Sequence, residues 1–106
     1  MKLWLDDQIN DPSAPPRHPP EGWLGVDSAI QACRLLARGG VTHISLDHDL
    51  GEGKFTGYLV ALFIEKWAFQ KRIKPLSWTI HSANPVGAEK MRYALSLADR
   101  FWGEGK

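Results

Sequence analysis

Residues 44–51, Ile-Ser-Leu-Asp-His-Asp-Leu-Gly, constrain this chain more than any other stretch. They read as a buried strand that stops abruptly at two carboxylates flanking an imidazole. In an open α/β sheet the carboxyl ends of the strands are where ligands bind. Two other stretches end in the same way: Leu5-Asp6-Asp7 near the start, and Ile80-His81-Ser82-Ala83-Asn84 late in the chain. Three strand tips carrying four acids, two histidines, a serine and an asparagine read as one site.

The rest of the chain supplies the sheet that such tips require. Leu3-Trp4-Leu5 is short, apolar and bounded by acids, as a central strand is. Residues 8–22 hold Pro12, Pro15, Pro16, Pro19 and Pro20, so they predict an extended loop and not a helix. That loop leaves from the carboxyl end of the first strand. It serves either as a rigid connector or as a wall of the site carrying Arg17 and His18. Residues 23–26 predict a second strand at the sheet edge. Asp27 or Ser28 then caps a helix that runs to about Arg38, with Ile30, Cys33 or Arg34, and Ala37 on successive turns. Gly39-Gly40 ends it, as glycine does past a helix C-terminus.

Residues 41–46 are the third strand, residues 51–54 a flexible loop, and Thr56 the cap of a helix running to about Lys71. That helix is apolar around most of its girth (Leu59, Val60, Leu62, Phe63, Ile64, Trp67, Phe69). It is either deeply buried, the simpler account, or shared with a second subunit, which leaves a homodimer open. Residues 76–80 are the fourth strand. Asn84 reads as an N-cap with Pro85 at the first helical position, where its missing N–H is harmless. Ala88, Met91, Leu95 and Ala98 follow at helical spacing, and Phe101-Trp102 predicts a terminal strand or a docked tail. The order β–β–α–β–α–β–α implies a single α/β domain over residues 1–106. Its sheet is open, mostly parallel and covered by helices on both faces.

Composition excludes several classes. The chain has 106 residues, enough for one core without staples. Its formal net charge of +1 gives no electrostatic case for an extended nucleic-acid surface, although a small nucleotide or an RNA end remains open. The single cysteine, Cys33, cannot make an intrachain disulfide and reads as a small buried apolar side chain; this fits a reducing cytoplasm. The first strand opens almost at once, which predicts no signal peptide, and the apolar run 58–64 is too short to span a bilayer.

At the tips, Asp6 and Asp7 cannot point the same way from an extended backbone. At a frayed strand end both still reach a divalent cation, one directly and one through water, with Asp47 as a third oxygen ligand. Such a set suits Mg²⁺ or Mn²⁺, which keep waters and recruit phosphates. The alternative is that Asp6 simply turns the chain into its loop. His48 and His81, with imidazole pKa values near about 6.5, suit a general acid–base pair across a phosphodiester, and Asp49 suits orienting a histidine or activating water. His43 and His18 read as structural or exposed. Ser82 and Asn84 precede a helix N-terminus, the natural seat for a phosphate. Gly51-Glu52-Gly53-Lys54-Phe55-Thr56 fails as a Walker A loop, because phenylalanine follows the lysine and the earlier glycine is missing. Lys54 can still meet a phosphate as a point charge.

The acidic pair after strand one, the acid ending strand three, the serine ending strand four and Thr56-Gly57 opening a helix together resemble the receiver domain of two-component signalling. That resemblance implies a flavodoxin-like fold, with Asp47 as phosphoacceptor, Asp6 and Asp7 holding Mg²⁺, and Ser82 beside the phosphoryl group; Thr56 is a further candidate for binding substrate. Three features depart from it. No lysine stands where strand five would place one, a proline-rich loop replaces the first helix, and His48-Asp49-Leu50-Gly51 replaces an apolar turn. Leu-Asp-Asp, Ser-Leu-Asp-His-Asp-Leu-Gly, Thr-Gly and His-Ser-Ala-Asn in this order resemble, more specifically, the cyclic-phosphate-processing receiver-like family. This implies a small phosphoesterase acting on a cyclic phosphate, on an RNA end or a nucleotide derivative. The alternative is a degenerate receiver that accepts phosphate, senses a nucleotide or binds a partner without catalysis.

Overall fold

In the computed structural model, which describes residues 1–10, 19–50 and 55–103, the expected β–β–α–β–α–β–α order forms. The order is β1 (Lys2–Leu5), a 3-10 helix (Asp7–Asn10), β2 (Trp23–Val26), α1 (Ala29–Arg38), β3 (His43–Leu46), α2 (Gly57–Phe69), β4 (Ser77–Ile80) and α3 (Pro85–Gly103). The four strands make one sheet in the order β2-β1-β3-β4, and every neighbouring pair is parallel. This is the receiver-like α/β arrangement.

Helices are distributed unevenly over the two faces. The chain moves in the same direction from β2 to β3 and from β3 to β4, so right-handed crossovers drop α1 and α2 onto one face. The third helix packs along α2 on that face. One apolar cluster results, joining Leu3, Leu5, Val26, Ile44 and Leu46 of the strands to Ala32, Leu36, Val60, Ile64, Met91 and Leu95 of the helices. The opposite face carries the 3-10 helix and Pro19, whose side chains crowd Gly25 on the edge strand: a Cβ there would stand 2.8 Å from Ile9 Cδ1. Helical cover on this second face is thus a single 3-10 helix among the described residues.

This layout accounts for the apolar girth of α2, which is flanked by α1 on one side and α3 on the other. It buries Val60, Ala61, Ile64 and Ala68. Three local expectations are corrected. The segment after Asp6 begins with a 3-10 helix and not an extended loop, because Asp6 Oδ1 accepts the Gln8 N–H at 2.9 Å and closes the turn. On α1 the deeply buried side chains are Ala29, Ala32 and Leu36; Ile30, Cys33, Arg34 and Ala37 instead line a ≈ 300 Å³ groove with Leu59, Phe63 and Trp67. Burial there pushes the Cys33 thiol up to about 11, which makes it inert. Finally, Phe101 and Trp102 continue α3, with the Trp102 indole donating to Ile73 O at 3.2 Å.

The predicted caps form at α1 and α3. Ser28 Oγ accepts from Gln31 N, and Gly39 closes α1 at φ 87°. Asn84 Oδ1 accepts from Gly87 N at 3.0 Å. Pro12, Pro15, Pro16, Arg17, His18 and the loop 51–54 with Lys54 lie outside the described residues. No described helix is long and apolar enough to cross a membrane.

Candidate functional site

The site grows out of strand register. Leu5, Leu46 and Ile80 pair across β1, β3 and β4, and the ladder continues one step beyond them. Asp47 N donates to Leu5 O, and His81 N donates to Leu46 O, both at 3.0 Å. Asp6, Asp47 and His81 therefore form a single row across three neighbouring strands. Alternation along a strand puts them on the face that bears Trp4, Ser45 and Thr79, which are register partners two residues earlier. Between β1 and β3 the chain departs in opposite directions, the position where open sheets bind ligands.

The three side chains converge. Ligand-type atoms of Asp6, Asp47 and His81 all lie within 4.8 Å of one another. Asp6 is fully buried and divides its oxygens: Oδ1 takes the Gln8 N–H, and Oδ2 stands 3.6 Å from His81 Nε2. Oδ1 thus closes the turn into the 3-10 helix, while Oδ2 faces His81. The Asp47 carboxyl is pushed up to about 6, first by burial and then by the nearby Asp6 charge, although the His48 N–H at 2.8 Å opposes this. The imidazole of His81 lies flat on the Trp4 indole (4.0 Å between centroids, 7° between planes). Its Nδ1 is 2.7 Å from Ser45 Oγ, which also accepts from Thr79 Oγ1 at 2.9 Å. Asp7, Gln8, Asp49 and Ala83 complete a ≈ 260 Å³ cleft with Asp47 and His81. A larger hollow of ≈ 620 Å³ carries none of the predicted site residues.

His48 belongs to a different cluster, on the helix side. A Cβ on Gly87 would stand 2.4 Å from His48 Cγ, so the ring packs on the first turn of α3 where only glycine leaves room. His48 Nδ1 pairs with Asp49 Oδ1 at 2.8 Å, and this bond holds the Asp49 carboxyl below its ordinary range. Asn84 Nδ2 donates to Asp49 at 3.4 Å while its oxygen caps α3. Asp49 links the clusters, because it also lines the cleft. The two histidines thus stand at adjacent strand tips in separate environments and not as a facing pair.

The remaining predicted residues surround these two clusters. Ser82 Oγ accepts the Asn84 N–H at 3.0 Å, leaving its hydroxyl hydrogen to donate. With Asn84 also capping Gly87, part of the α3 N-terminus is satisfied internally. Thr56 occupies the N-cap of α2 without a side-chain cap bond. Its neighbour Gly57 sits so close to β3 that a Cβ would stand 1.9 Å from Asp47 O, and its N–H donates to His48 O at 2.9 Å. Sequence alone gives Trp4, Ser45, Thr79 and Gly87 no role at the site, and Gly57 enters it only through the Thr56-Gly57 pair. The signal for the first three is their position two residues before Asp6, Asp47 and His81.

The donor set fits a divalent cation. An ion with bonds of about 2.1 Å spaces adjacent ligand atoms about 3 Å apart and opposed ones about 4.2 Å apart, close to the spread of this triad. Two carboxylates and one imidazole suit Mn²⁺ better than Mg²⁺, which favours oxygen alone, and Asp7 and Asp49 add negative potential. Comparison with curated proteins and with solved structures gives no match. The profile of the cyclic-phosphate processing receiver domain matches residues 1–96. Spanning nearly the whole chain, that match shows that the protein belongs to the cyclic-phosphate processing receiver domain family.

Proposed function

We propose that this domain is a small phosphoesterase that hydrolyses a cyclic phosphate on an RNA end or a nucleotide derivative, assisted by Mg²⁺ or Mn²⁺. The observation that carries the reading is the convergence of Asp6, Asp47 and His81 at the strand tips of a cyclic-phosphate processing receiver domain. In this reading His81 joins Asp6 and Asp47 as a cation ligand, and proton transfer falls to His48. When bound, the cation supplies a Lewis acid for the phosphoryl oxygens and lowers the pKa of water beside it.

The chain's own groups divide the remaining work. Asp49 holds Nδ1 of His48, so Nε2 is the nitrogen that exchanges protons. Water attacks phosphorus, one ring P–O bond breaks, and the departing ester oxygen takes up a proton; the product is a phosphomonoester. Nε2 of His48 removes the water proton or delivers the one the leaving oxygen needs. Ser82, with its hydroxyl hydrogen available, donates to a phosphoryl oxygen, and Thr56 and Lys54 serve the same anion. Asp7, lining the cleft, orients water.

The test is turnover of a panel of 2′,3′-cyclic RNA ends, cyclic mononucleotides and cyclic dinucleotides with Mn²⁺, Mg²⁺ or EDTA. Hydrolysis that requires the cation supports the reading and identifies the substrate. Saturable binding of one compound without turnover overturns it in favour of a sensor. A stable acyl phosphate on Asp47 overturns it in favour of a phosphoaccepting receiver. Among the described residues lining the cleft there is no lysine or arginine to couple such a phosphate to the surface.

A further inference from the structure

Ser45 is out of character for its place. It sits between Ile44 and Leu46 in the middle of a central parallel strand, where β-branched apolar side chains are the rule, and it is 1% exposed. Among the described residues only Asp6 is another buried polar side chain, and both contact His81. A hydroxyl held there must be hydrogen-bonded to be tolerated. Its partners come from the adjacent row and from the next strand. Thr79, its register partner, donates to Ser45 Oγ, and His81 Nδ1 approaches the same oxygen at 2.7 Å. Trp4, its register partner on the other side, fixes the plane of the imidazole.

We propose that Ser45, backed by Thr79, is a positioning residue that accepts the Nδ1–H of His81 and thereby presents the Nε2 lone pair beside Asp6 and Asp47, so that the site selects Mn²⁺ over Mg²⁺. This rests on the cation reading given above. Thr79 donates to one lone pair of Ser45 Oγ; in the proposed tautomer the Nδ1–H of His81 takes the other and Nε2 is the acceptor nitrogen, whereas a Ser45 hydroxyl donating to Nδ1 would put the proton on Nε2. A histidine ligand needs such a partner on its second nitrogen to fix tautomer and ring orientation. With the imidazole locked, an ion that accepts nitrogen gains a third protein ligand. Mg²⁺, which favours oxygen and retains its waters, gains little.

The experiment uses the full chain labelled with ¹⁵N-histidine. The ion-free protein is read for the His81 tautomer by long-range proton–nitrogen NMR correlation. Mn²⁺ is then titrated by EPR, with Mg²⁺ as competitor, for wild type, Ser45→Ala, Ser45→Thr and Thr79→Val. The expected result is an Nδ1–H tautomer and Mn²⁺ binding at least about 10-fold tighter than Mg²⁺ in the wild type. Ser45→Ala loses about 10- to 100-fold in Mn²⁺ affinity with little change for Mg²⁺, Thr79→Val loses less, and Ser45→Thr restores most of the loss. A wild-type Nε2–H tautomer overturns the proposal, and this readout requires no variant to fold. Tight Mn²⁺ binding that Ser45→Ala and Thr79→Val leave unchanged overturns the relay alone. A wild type that binds neither ion overturns the cation reading beneath it.

Discussion

His48 and His81 stand at the tips of neighbouring strands, yet the sheet gives them opposite surroundings. His81 lies on the face whose described helical cover is one 3-10 helix, flat against an indole, with one nitrogen on a neutral hydroxyl and the other toward a buried acid. His48 lies on the helix side, pressed onto Gly87, with Nδ1 on an Asp49 side chain that is 67% exposed. Clamping between a buried hydroxyl and a half-buried indole suits a ligand that must not move. Pairing with a solvated carboxylate suits a group that trades protons with a substrate and water. The comparison teaches that two histidines at one end of a sheet need not form an acid–base pair, because strand alternation separates them by face.

The largest effect that sharpens this contrast comes from the histidines themselves. His48→Ala should lower cyclic-phosphate turnover by about 10²–10⁴ while leaving Mn²⁺ affinity unchanged. His81→Ala should lower both, as steady-state kinetics and EPR titration would reveal. Equal losses of Mn²⁺ affinity in the two variants would break the distinction.

The supporting glycines divide in the same way. Gly57→Ala drives a Cβ into a backbone oxygen that cannot move aside, so it should cost about 3 kcal/mol or more in urea unfolding. Gly87→Ala drives a Cβ into the His48 ring, a side chain and not a backbone oxygen. It should cost less stability and more turnover, and a variant with full activity would show that the ring need not sit there.

Asp47 gives a smaller effect, tied to pH. Its carboxyl binds a proton more tightly in the fold (about 6) than at the ordinary value of 3.8. The stability it contributes is therefore full below about pH 4 and lost as pH rises through about 6. Asp47→Asn should accordingly stabilise the cation-free protein at pH 8 by about 1–2 kcal/mol, after discounting for solvent screening, with no gain at pH 3.5. Added Mn²⁺ should reverse the ranking at pH 8, because only the wild type gains from binding. Thermal unfolding across this pH range checks both statements. The smallest effect belongs to Trp4→Leu, which removes the stack but keeps the apolar wall. About a 10-fold loss of Mn²⁺ affinity without a loss of fold is expected.

Much of this was legible in the chain. Apolar runs ending in acids located β1 and β3, Gly39 marked the end of α1, and Asn84-Pro85 marked the start of α3, because each rests on local backbone chemistry. Asp6, Asp47 and His81 were singled out individually, and the register explains why they meet. What local pattern could not supply was the side of the sheet. One residue of offset sends a side chain to the other face, so His48 was grouped with His81 although its neighbour Asp47 is the residue that shares His81's row. On α1 the spacing of Ile30, Cys33 and Ala37 marks an apolar stripe without saying which stripe faces the sheet. That helix has two apolar stripes, and small alanines, not Ile30, take the close approach to the sheet. The role of Ser45 is not legible in the sequence, because a serine within a strand has no meaning until its register partners are known.

The most direct test is a crystal grown with Mn²⁺ and a cyclic phosphorothioate, examined for anomalous scattering from manganese. The account predicts one peak within about 2.0–2.3 Å of oxygens of Asp6 and Asp47 and of Nε2 of His81, with the phosphorothioate against it and His48 reaching the ester oxygen from the other side. A peak ligated without His81, or a phosphorothioate bound away from the acids, would contradict it.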